Sequence, residues 1–209
     1  MIKKILKENI IYIILIIFFI MFFSIIMKTA IHDKVIILDN KVIEIVNSII
    51  HTKLVGIFKV LTFLGDYYVP SIILVLLLIL FKNKRIFLFQ GCGYALAGII
   101  TYLSKIIISR QRPPFALIDI PKSYSFPSGH TLTSIVFYVL LCFILTYHMD
   151  SKKRKILLTI SFVFSFLIAI SRVYLGVHYF SDVIGGLIIG MLCLLMCMNI
   201  INKNFKDVI

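Results

Sequence analysis

Residues 10–27 read IIYIILIIFFIMFFSIIM, an apolar run of 18 residues without a charge. A bilayer core of about 30 Å requires about 20 mostly apolar residues in a crossing helix, so this run predicts a membrane span. Lys3, Lys4 and Lys7 precede it, as cations do in a secretory signal. The run is long for a signal core, however, and no A-x-A cleavage site follows it. We therefore expect a retained first transmembrane helix.

The rest of the chain is also strongly apolar. Of its 209 residues, 61% are hydrophobic and 15% are charged, and the mean hydropathy is +1.07. Soluble domains contain roughly 45–50% apolar residues, and a soluble protein of this size could not bury so much apolar surface. We therefore expect an integral membrane protein. The net charge of +13 then indicates cationic loops beside an anionic membrane surface, and no nucleic-acid partner is predicted.

Five further apolar runs predict five more membrane spans. They cover about residues 69–81, 86–108, 127–148, 156–171 and 181–200. The run 69–81 is short for a span unless the helix begins within the preceding segment. Gly186-x3-Gly190 in the last run is typical of close packing between helices. No linker divides the sequence, so residues 1–209 are predicted to form a single all-α membrane domain, a bundle of six transmembrane helices.

Residues 28–66 differ from the spans because charged and apolar residues alternate along them. Their apolar residues recur at spacings of three to five, which is typical of an amphipathic helix. Such a helix lies on the membrane surface or packs under the bundle instead of crossing the bilayer. We expect this segment to lie on the extracytoplasmic side, between the first two spans.

The first of three polar strings, Lys105-x6-Arg112-Pro113, lies at the end of the third span. Seven residues make two helical turns, so a continuing helix would place both cations on one face. Two cations fixed in this way can hold an anion with several negative oxygens, and the planar guanidinium of Arg112 suits phosphate in particular. Taken alone, the string is also typical of basic side chains that extend from a helix end towards water.

The second string, Pro127-Ser128-Gly129-His130, opens the fourth span. Free backbone N–H groups at a helix N-terminus bind anions, and Gly129 lets the backbone approach a ligand closely. Ser128 can cap the helix or donate to a phosphate oxygen. His130 would then be placed to reach a leaving-group oxygen. A loop followed by an ordinary helix cap is the alternative for this string taken alone.

The third string is Ser171-Arg172-x5-His178-x3-Asp182. His178 and Asp182 are four residues apart and share a helix face if the sixth span starts early enough. A carboxylate in that position can accept a proton from one imidazole nitrogen and leave the other free as a nucleophile. Arg172 adds a third cation. A simple ion pair at a helix start is the alternative.

The distribution of cations predicts the orientation in the membrane. With the N-terminus in the cytoplasm, the inner segments hold 12 of the 22 Lys and Arg residues. Three of the outer cations, Lys105, Arg112 and Arg172, belong to the polar strings, and the others are spread over a long segment. The positive-inside rule therefore favours both termini in the cytoplasm. All three strings then lie at the outer face of the cytoplasmic membrane.

In order, identity and spacing, the three strings resemble the signature of the type 2 phosphatidic acid phosphatase (PAP2) superfamily. The resemblance covers about residues 60–195. It implies a membrane lipid phosphatase that requires no metal and no cofactor. The sequence itself contains no Cys or His spacing typical of a metal site, and its four cysteines all fall in apolar runs.

The resemblance also implies a role for each matched residue. His178 would attack phosphorus and become a phosphohistidine, supported by Asp182. His130 would protonate the leaving oxygen and later activate water. The phosphate would be bound by Lys105, Arg112, Ser128, Gly129 and Arg172.

Several alternatives stay open on the sequence alone. The compact form favours undecaprenyl diphosphate as the lipid substrate, with phosphatidylglycerol phosphate or phosphatidic acid as alternatives. An anion transporter or channel is the alternative from another functional class, because six helices and intramembrane cations are compatible with one. Asp66 and Arg110, near the predicted outer face, are further candidates for shaping the headgroup site. The oligomeric state does not follow from the sequence.

Overall fold

The computed structural model describes residues 2–27, 31–82 and 84–204, and within these residues it is helical without any β-strand. The helices are α1 (Ile2–Ile26), α2 (Ile31–Ser48), α3 (Thr52–Leu64), α4 (Tyr68–Leu80), α5 (Lys84–Ile108), α6 (Gly129–Ser134), α7 (Leu140–Leu145), α8 (Ser151–Tyr174) and α9 (Phe180–Asn204). A π-helical turn, Ile135–Val139, connects α6 to α7. The prediction of an all-α membrane fold is confirmed.

Four helices are long and apolar enough to cross a membrane by themselves. They are α1, α5, α8 and α9, with candidate spans of 20 to 25 residues. The helices α3 and α4 pass the same test only as a pair, which is bent by 45°. Gly129–Leu145 is a shorter apolar helix. The described residues thus contain four candidate spans, or five with the bent pair, and the shorter helix coincides with the remaining predicted span.

The predicted amphipathic segment 28–66 is divided into two helices in the described residues. Asp33, Asp39 and Glu44 lie on α2, whereas α3 carries only Lys53 and Lys59 as charged residues. The helix α3 packs along α8, and Gly65 ends it before the bend into α4. The segment 28–66 thus contains an apolar helix, α3, and together with α4 this helix is long and apolar enough to form one bent candidate span.

Close packing of α6 against α9 depends on glycine. A Cβ atom built on Gly186 would lie 2.8 Å from the Ser128 carbonyl oxygen, and one built on Gly190 would lie 3.1 Å from that of Leu132. Ordinary side chains would therefore hold the two helices apart. The GxxxG pair allows the start of α6, with the second polar string, to lie directly on the first turns of α9.

Candidate active site

The three polar strings meet at one end of the helical bundle. Arg112 lies in the loop after α5, Arg172 in the last turn of α8, and His178 in the turn that precedes α9. Nη1 of Arg112 lies 3.2 Å from Nε2 of His178. The backbone N–H of Ser128 donates to the carbonyl of Asp182 at 3.0 Å. One residue or more from each string is thus in direct contact with another string.

Lys105 and Arg112 do not share a helix face as the spacing predicted. The helix α5 ends at Ile108, and Ser109 has a φ of 52°, which turns the chain out of the helix. Both cations instead reach backbone carbonyls of residues 123–125. Nε of Arg112 donates to the carbonyl of Ser123 at 2.7 Å, and Nζ of Lys105 donates to the carbonyl of Tyr124 and, at 3.3 Å, to that of Ser125.

The neighbours of His178 determine its tautomer. A guanidinium can only donate, so Nε2 of His178 must accept from Arg112, and Nδ1 must then carry the ring proton. The acceptors near Nδ1 are the hydroxyl oxygen of Ser125 at 3.4 Å and Oδ2 of Asp182 at 3.6 Å. The lone pair on Nε2 therefore points towards Arg112.

Asp182 is fully buried and accepts hydrogen bonds at both carboxylate oxygens. Oδ2 accepts from the Ser125 hydroxyl at 2.5 Å and from the Tyr179 N–H at 2.9 Å, while Oδ1 accepts from Arg110 at 2.6 Å. His178 lies two residues before α9, so the helix face expected for the pair is not formed. The turn at Tyr179 nevertheless brings the ring and the carboxylate together, and Ser125 lies between them.

His178 stays neutral over the ordinary pH range. Its pKa is lowered from 6.5 to about 3, chiefly by burial; the Asp182 carboxylate opposes this shift, and the positive charges of Arg112 and Arg172 contribute to it. Burial also lowers the pKa of Arg112. A neutral imidazole keeps the lone pair that a nucleophile requires.

The second string forms the start of α6, as predicted. Ser128 occupies the N-cap position, but its side chain forms no capping hydrogen bond; its hydroxyl oxygen accepts from Thr131 at 2.9 Å. The Ser128 hydroxyl proton is not used in that bond. Gly129 begins the helix close to α5, because a Cβ built on it would lie 3.2 Å from Thr101. His130 lies beside the α3–α4 turn, with Cδ2 3.3 Å from a Cβ built on Gly65.

Arg172 connects the bend-forming helix α3 to the turn that carries His178. Its Nη1 donates to the hydroxyl of Thr62, and its carbonyl accepts from the N–H groups of Val177 and His178 at 3.2 and 3.3 Å. Within the part of the chain that the structure describes, its Nε is buried without a hydrogen-bond partner. The carbonyl of Arg172 therefore positions His178, and the Nε–H of its side chain still has no hydrogen-bond acceptor among the described residues.

The three predicted phosphate-binding cations share one electrostatic property. Among the described residues, Lys105, Arg112 and Arg172 contact only neutral groups: carbonyls, hydroxyls and an imidazole nitrogen. Their positive charges are not neutralised by any carboxylate within ion-pair distance in this part of the chain. Such a cluster can attract and orient a multiply charged anion.

Arg110 has different partners from these three cations. It is 9% exposed and forms ion pairs of 2.6 Å with Asp39 and with Asp182. Arg110 therefore forms a buried contact with these carboxylates, and this contact argues against the prediction that it shapes a headgroup site. Sequence reasoning also missed Asp39, Ser125 and Thr62. No motif marks these residues, and each side chain meets its partners across 53 or more residues of sequence.

In the described residues, no group of three or more His, Cys, Asp or Glu side chains is arranged so that it could hold a metal ion.

Known proteins are similar to this chain in sequence. Phosphatidylglycerophosphatase B from Bacillus subtilis (strain 168) is 40% identical over 100 residues, which are 46% of this chain and 49% of the relative. The chain thus matches about half the length of that relative. Undecaprenyl-diphosphatase from Sulfolobus acidocaldarius is 28% identical over 157 residues, covering 71% of this chain and 72% of the relative.

The fold is also similar to a solved structure. The crystal structure described as the first transmembrane PAP2 type phosphatidylglycerolphosphate phosphatase, from Bacillus subtilis, superposes with a TM-score of 0.82 at 25% identity. The superposition covers 92% of this chain and 97% of that chain. The family model of the PAP2 superfamily matches residues 86–206, more than half of the sequence. The residues that carry the three polar strings all lie in that range, and the chain belongs to the PAP2 superfamily.

Proposed function

We propose that this protein is an integral-membrane lipid phosphatase that hydrolyses a lipid phosphate or diphosphate through a phosphohistidine on His178. The observation that supports it most is the position of Nε2 of His178, 3.2 Å from Arg112, with its lone pair directed at a group of cations that contact only neutral partners among the described residues. A phosphate held by those cations would present its phosphorus atom to Nε2.

The reaction would proceed in two displacements. Nε2 of His178 attacks the terminal phosphorus, and the bond from that phosphorus to the leaving oxygen breaks. The leaving oxygen is the ester oxygen of a lipid monophosphate or the bridging oxygen of a lipid diphosphate, and His130 donates a proton to it. Water, deprotonated by His130, then attacks the phosphorus, and the P–N bond breaks to release inorganic phosphate. Asp182 stabilises the positive charge on the phosphorylated ring through Nδ1.

The cations and the start of α6 would stabilise the transition state. Charge in phosphoryl transfer is spread over the equatorial phosphate oxygens. Lys105, Arg112 and Arg172 would bind these oxygens, helped by the Ser128 hydroxyl and the Gly129 N–H. Because these groups are held in advance by the surrounding carbonyls and hydroxyls, little reorganisation is needed when charge develops.

The substrate is proposed to be undecaprenyl diphosphate, which three cations suit because its headgroup is highly charged. Phosphatidylglycerol phosphate is the second candidate, and phosphatidic acid is the third. Among the similar proteins, one is named as an undecaprenyl-diphosphatase and another as a phosphatidylglycerophosphatase. The site is proposed to face the outside of the cytoplasmic membrane, with both termini in the cytoplasm. An anion channel is the less favoured alternative, because Lys105, Arg112 and Arg172 lie together at one end of the bundle instead of along a path through it.

The test is phosphate release by the purified protein from a panel of lipid phosphates in liposomes, compared with a soluble analogue of the same headgroup. Binding of the lipid chains should help to hold the headgroup, so a long-chain substrate should have the higher kcat/KM. A radiolabelled headgroup should leave acid-labile, alkali-stable label on the wild-type enzyme and on His148→Gln, which changes an exposed histidine. Label on His178→Gln, or equal hydrolysis of the soluble analogue, would contradict the proposal.

A further inference from the structure

Asp39 lies far from the three polar strings in sequence, on the amphipathic helix α2. It precedes the residues 86–206 that the family model matches. Its neighbour Leu38 is 50% exposed, yet Asp39 itself is completely buried. A buried carboxylate is costly unless it is paired and hydrogen-bonded, so its partners indicate why it is retained on an otherwise exposed helix.

The partners of Asp39 belong to the active-site end of the bundle. Oδ2 accepts from Nη2 of Arg110 at 2.6 Å and from the Ser181 hydroxyl at 2.6 Å, and Oδ1 accepts from the Ser181 N–H at 2.9 Å. Ser181 is the second residue of α9, and its N–H is one of those left without an intrahelical partner. Asp39 therefore caps from α2 the helix turn that carries Asp182.

Arg110 connects the two carboxylates. Its Nη2 binds Asp39 and its Nη1 binds Asp182, both at 2.6 Å, and Nη1 also donates to the Ser181 hydroxyl at 2.7 Å. The guanidinium lies 4.2 Å from the centre of the Tyr179 ring, an arrangement that adds a cation–π attraction. The Arg110 carbonyl accepts from the Ser125 N–H at 2.8 Å, so Arg110 also positions the hydroxyl between His178 and Asp182.

We propose that Asp39 and Arg110 are positioning residues of the phosphatase reaction, which set the place and the effective charge of Asp182 behind His178. This inference rests on the proposed function. Neither residue contacts the phosphate-binding cations described above, so their effect on catalysis passes through Asp182 and Ser125.

The charges explain why two carboxylates are needed. Asp39, Arg110 and Asp182 together carry one net negative charge, since one guanidinium lies between two carboxylates. When Nε2 of His178 forms its bond to phosphorus, the ring becomes positive and this net charge balances it. Without the charge of Asp39, Arg110 would neutralise Asp182. Without the charge of Arg110, two carboxylates would repel each other in a buried site.

Three variants separate charge from structure. Asp39→Asn keeps the shape of the side chain and removes the negative charge, and Arg110→Gln removes the positive charge. Residues that orient the ligands of a metal site typically cost 10- to 100-fold in activity when changed, and Asp39 and Arg110 stand in the same relation to Asp182. We expect each single variant to lower kcat by about that factor, with KM within about threefold of wild type. The double variant restores one net negative charge, and its kcat should exceed that of each single variant.

The matched control is Asp33→Asn, the same substitution on the same helix at a side chain that is 83% exposed; it should retain the wild-type kcat. All variants are assayed on the lipid phosphate that the wild type hydrolyses, and folding is checked by thermal unfolding in detergent. If the wild type hydrolyses no lipid phosphate, the proposed function fails before this inference is reached.

Two results would overturn the inference while the wild type is active. One is a kcat for Asp39→Asn equal to that of Asp33→Asn. The other is a double variant that is no better than the poorer single variant, as independent structural damage would produce. Should Asp39→Asn fail to accumulate, Arg110→Gln carries the test: it should lower kcat by itself, and adding Asp39→Asn should raise kcat again.

Discussion

Replacing Gly186 with alanine tests how α9 positions the second polar string. The added Cβ would lie 2.8 Å from the Ser128 carbonyl oxygen and 3.1 Å from Cβ of Thr131. Ordinary contact begins at 3.4 Å, so the backbone at Ser128 must move by about 0.6 Å. Overpacking of this kind costs about 1–3 kcal/mol. Alanine gains about 1 kcal/mol over glycine in a helix, which opposes that cost.

Gly98→Ala is the matched control, because it makes the same change inside α5 where a Cβ would meet nothing within 4 Å. Both variants gain the same helix propensity, so the difference between them isolates the overpacking. For a protein of this size, about 1–3 kcal/mol corresponds to a thermal midpoint about 2–12 °C lower for Gly186→Ala. Thermal unfolding in detergent measures that difference directly.

The same displacement should reduce activity. A misplacement of about 1 Å can cost about 100-fold in rate, so a shift of about half that size in the Ser128–Gly129 backbone should lower kcat/KM by about tenfold. Gly98→Ala should keep the wild-type value. If Gly186→Ala matched Gly98→Ala in both thermal midpoint and kcat/KM, the close approach of α6 to α9 would not determine the site geometry.

Four further predictions concern the site and its setting. Arg112→Lys keeps the charge but loses the planar fork, so kcat/KM should fall by about 100-fold or more; a change below threefold would argue against phosphate binding by Arg112. The pKa of His178 is lowered from 6.5 to about 3, so the unfolded chain binds the proton first and the free energy of unfolding should fall as pH drops through that window; His178→Gln should flatten that fall. EDTA should leave phosphate release unchanged, and loss of activity restored by a divalent metal would contradict a metal-independent reaction. Single cysteines introduced at 115–124 should react with an impermeant thiol reagent on intact cells and those at 150–155 should not; the reverse pattern would refute the proposed orientation.

Much of the fold could be predicted because it depends on local sequence. An apolar run of sufficient length requires a membrane helix, so the first, third, fifth and sixth spans follow from composition alone. The prolines at 113 and 114 predict that the third span ends before them, but they do not account for the break after Ile108, where Ser109 leaves the helix with a φ of 52°. The helix α3 was harder to identify. Its sequence is apolar apart from two lysines, but it follows the charged helix α2, and residues 28–66 were therefore interpreted as one amphipathic segment.

The arrangement of the site could be predicted only in part. The three strings indicated which residues belong together, and the structure brings them into contact. The prediction that Lys105 and Arg112 share a helix face was wrong, because the helix ends between them and both side chains donate to backbone carbonyls instead. Backbone acceptors carry no sequence signal, since every residue has one. Ser125 was missed for a similar reason. Its hydroxyl matters because it contacts both His178 and Asp182, and no sequence pattern marks that contact.

Arg110 and Arg112 show most clearly what the sequence leaves open. They are two residues apart, identical in chemistry and both within four residues of the end of α5, so any argument from charge treats them alike. Their partners differ: two buried carboxylates bind Arg110, whereas carbonyls, a hydroxyl and a neutral imidazole contact Arg112. A guanidinium already paired with carboxylates has little net attraction left for phosphate, and one held by neutral acceptors keeps its charge. The role of each arginine is therefore set by residues such as Asp39, which reach the site from 71 positions away.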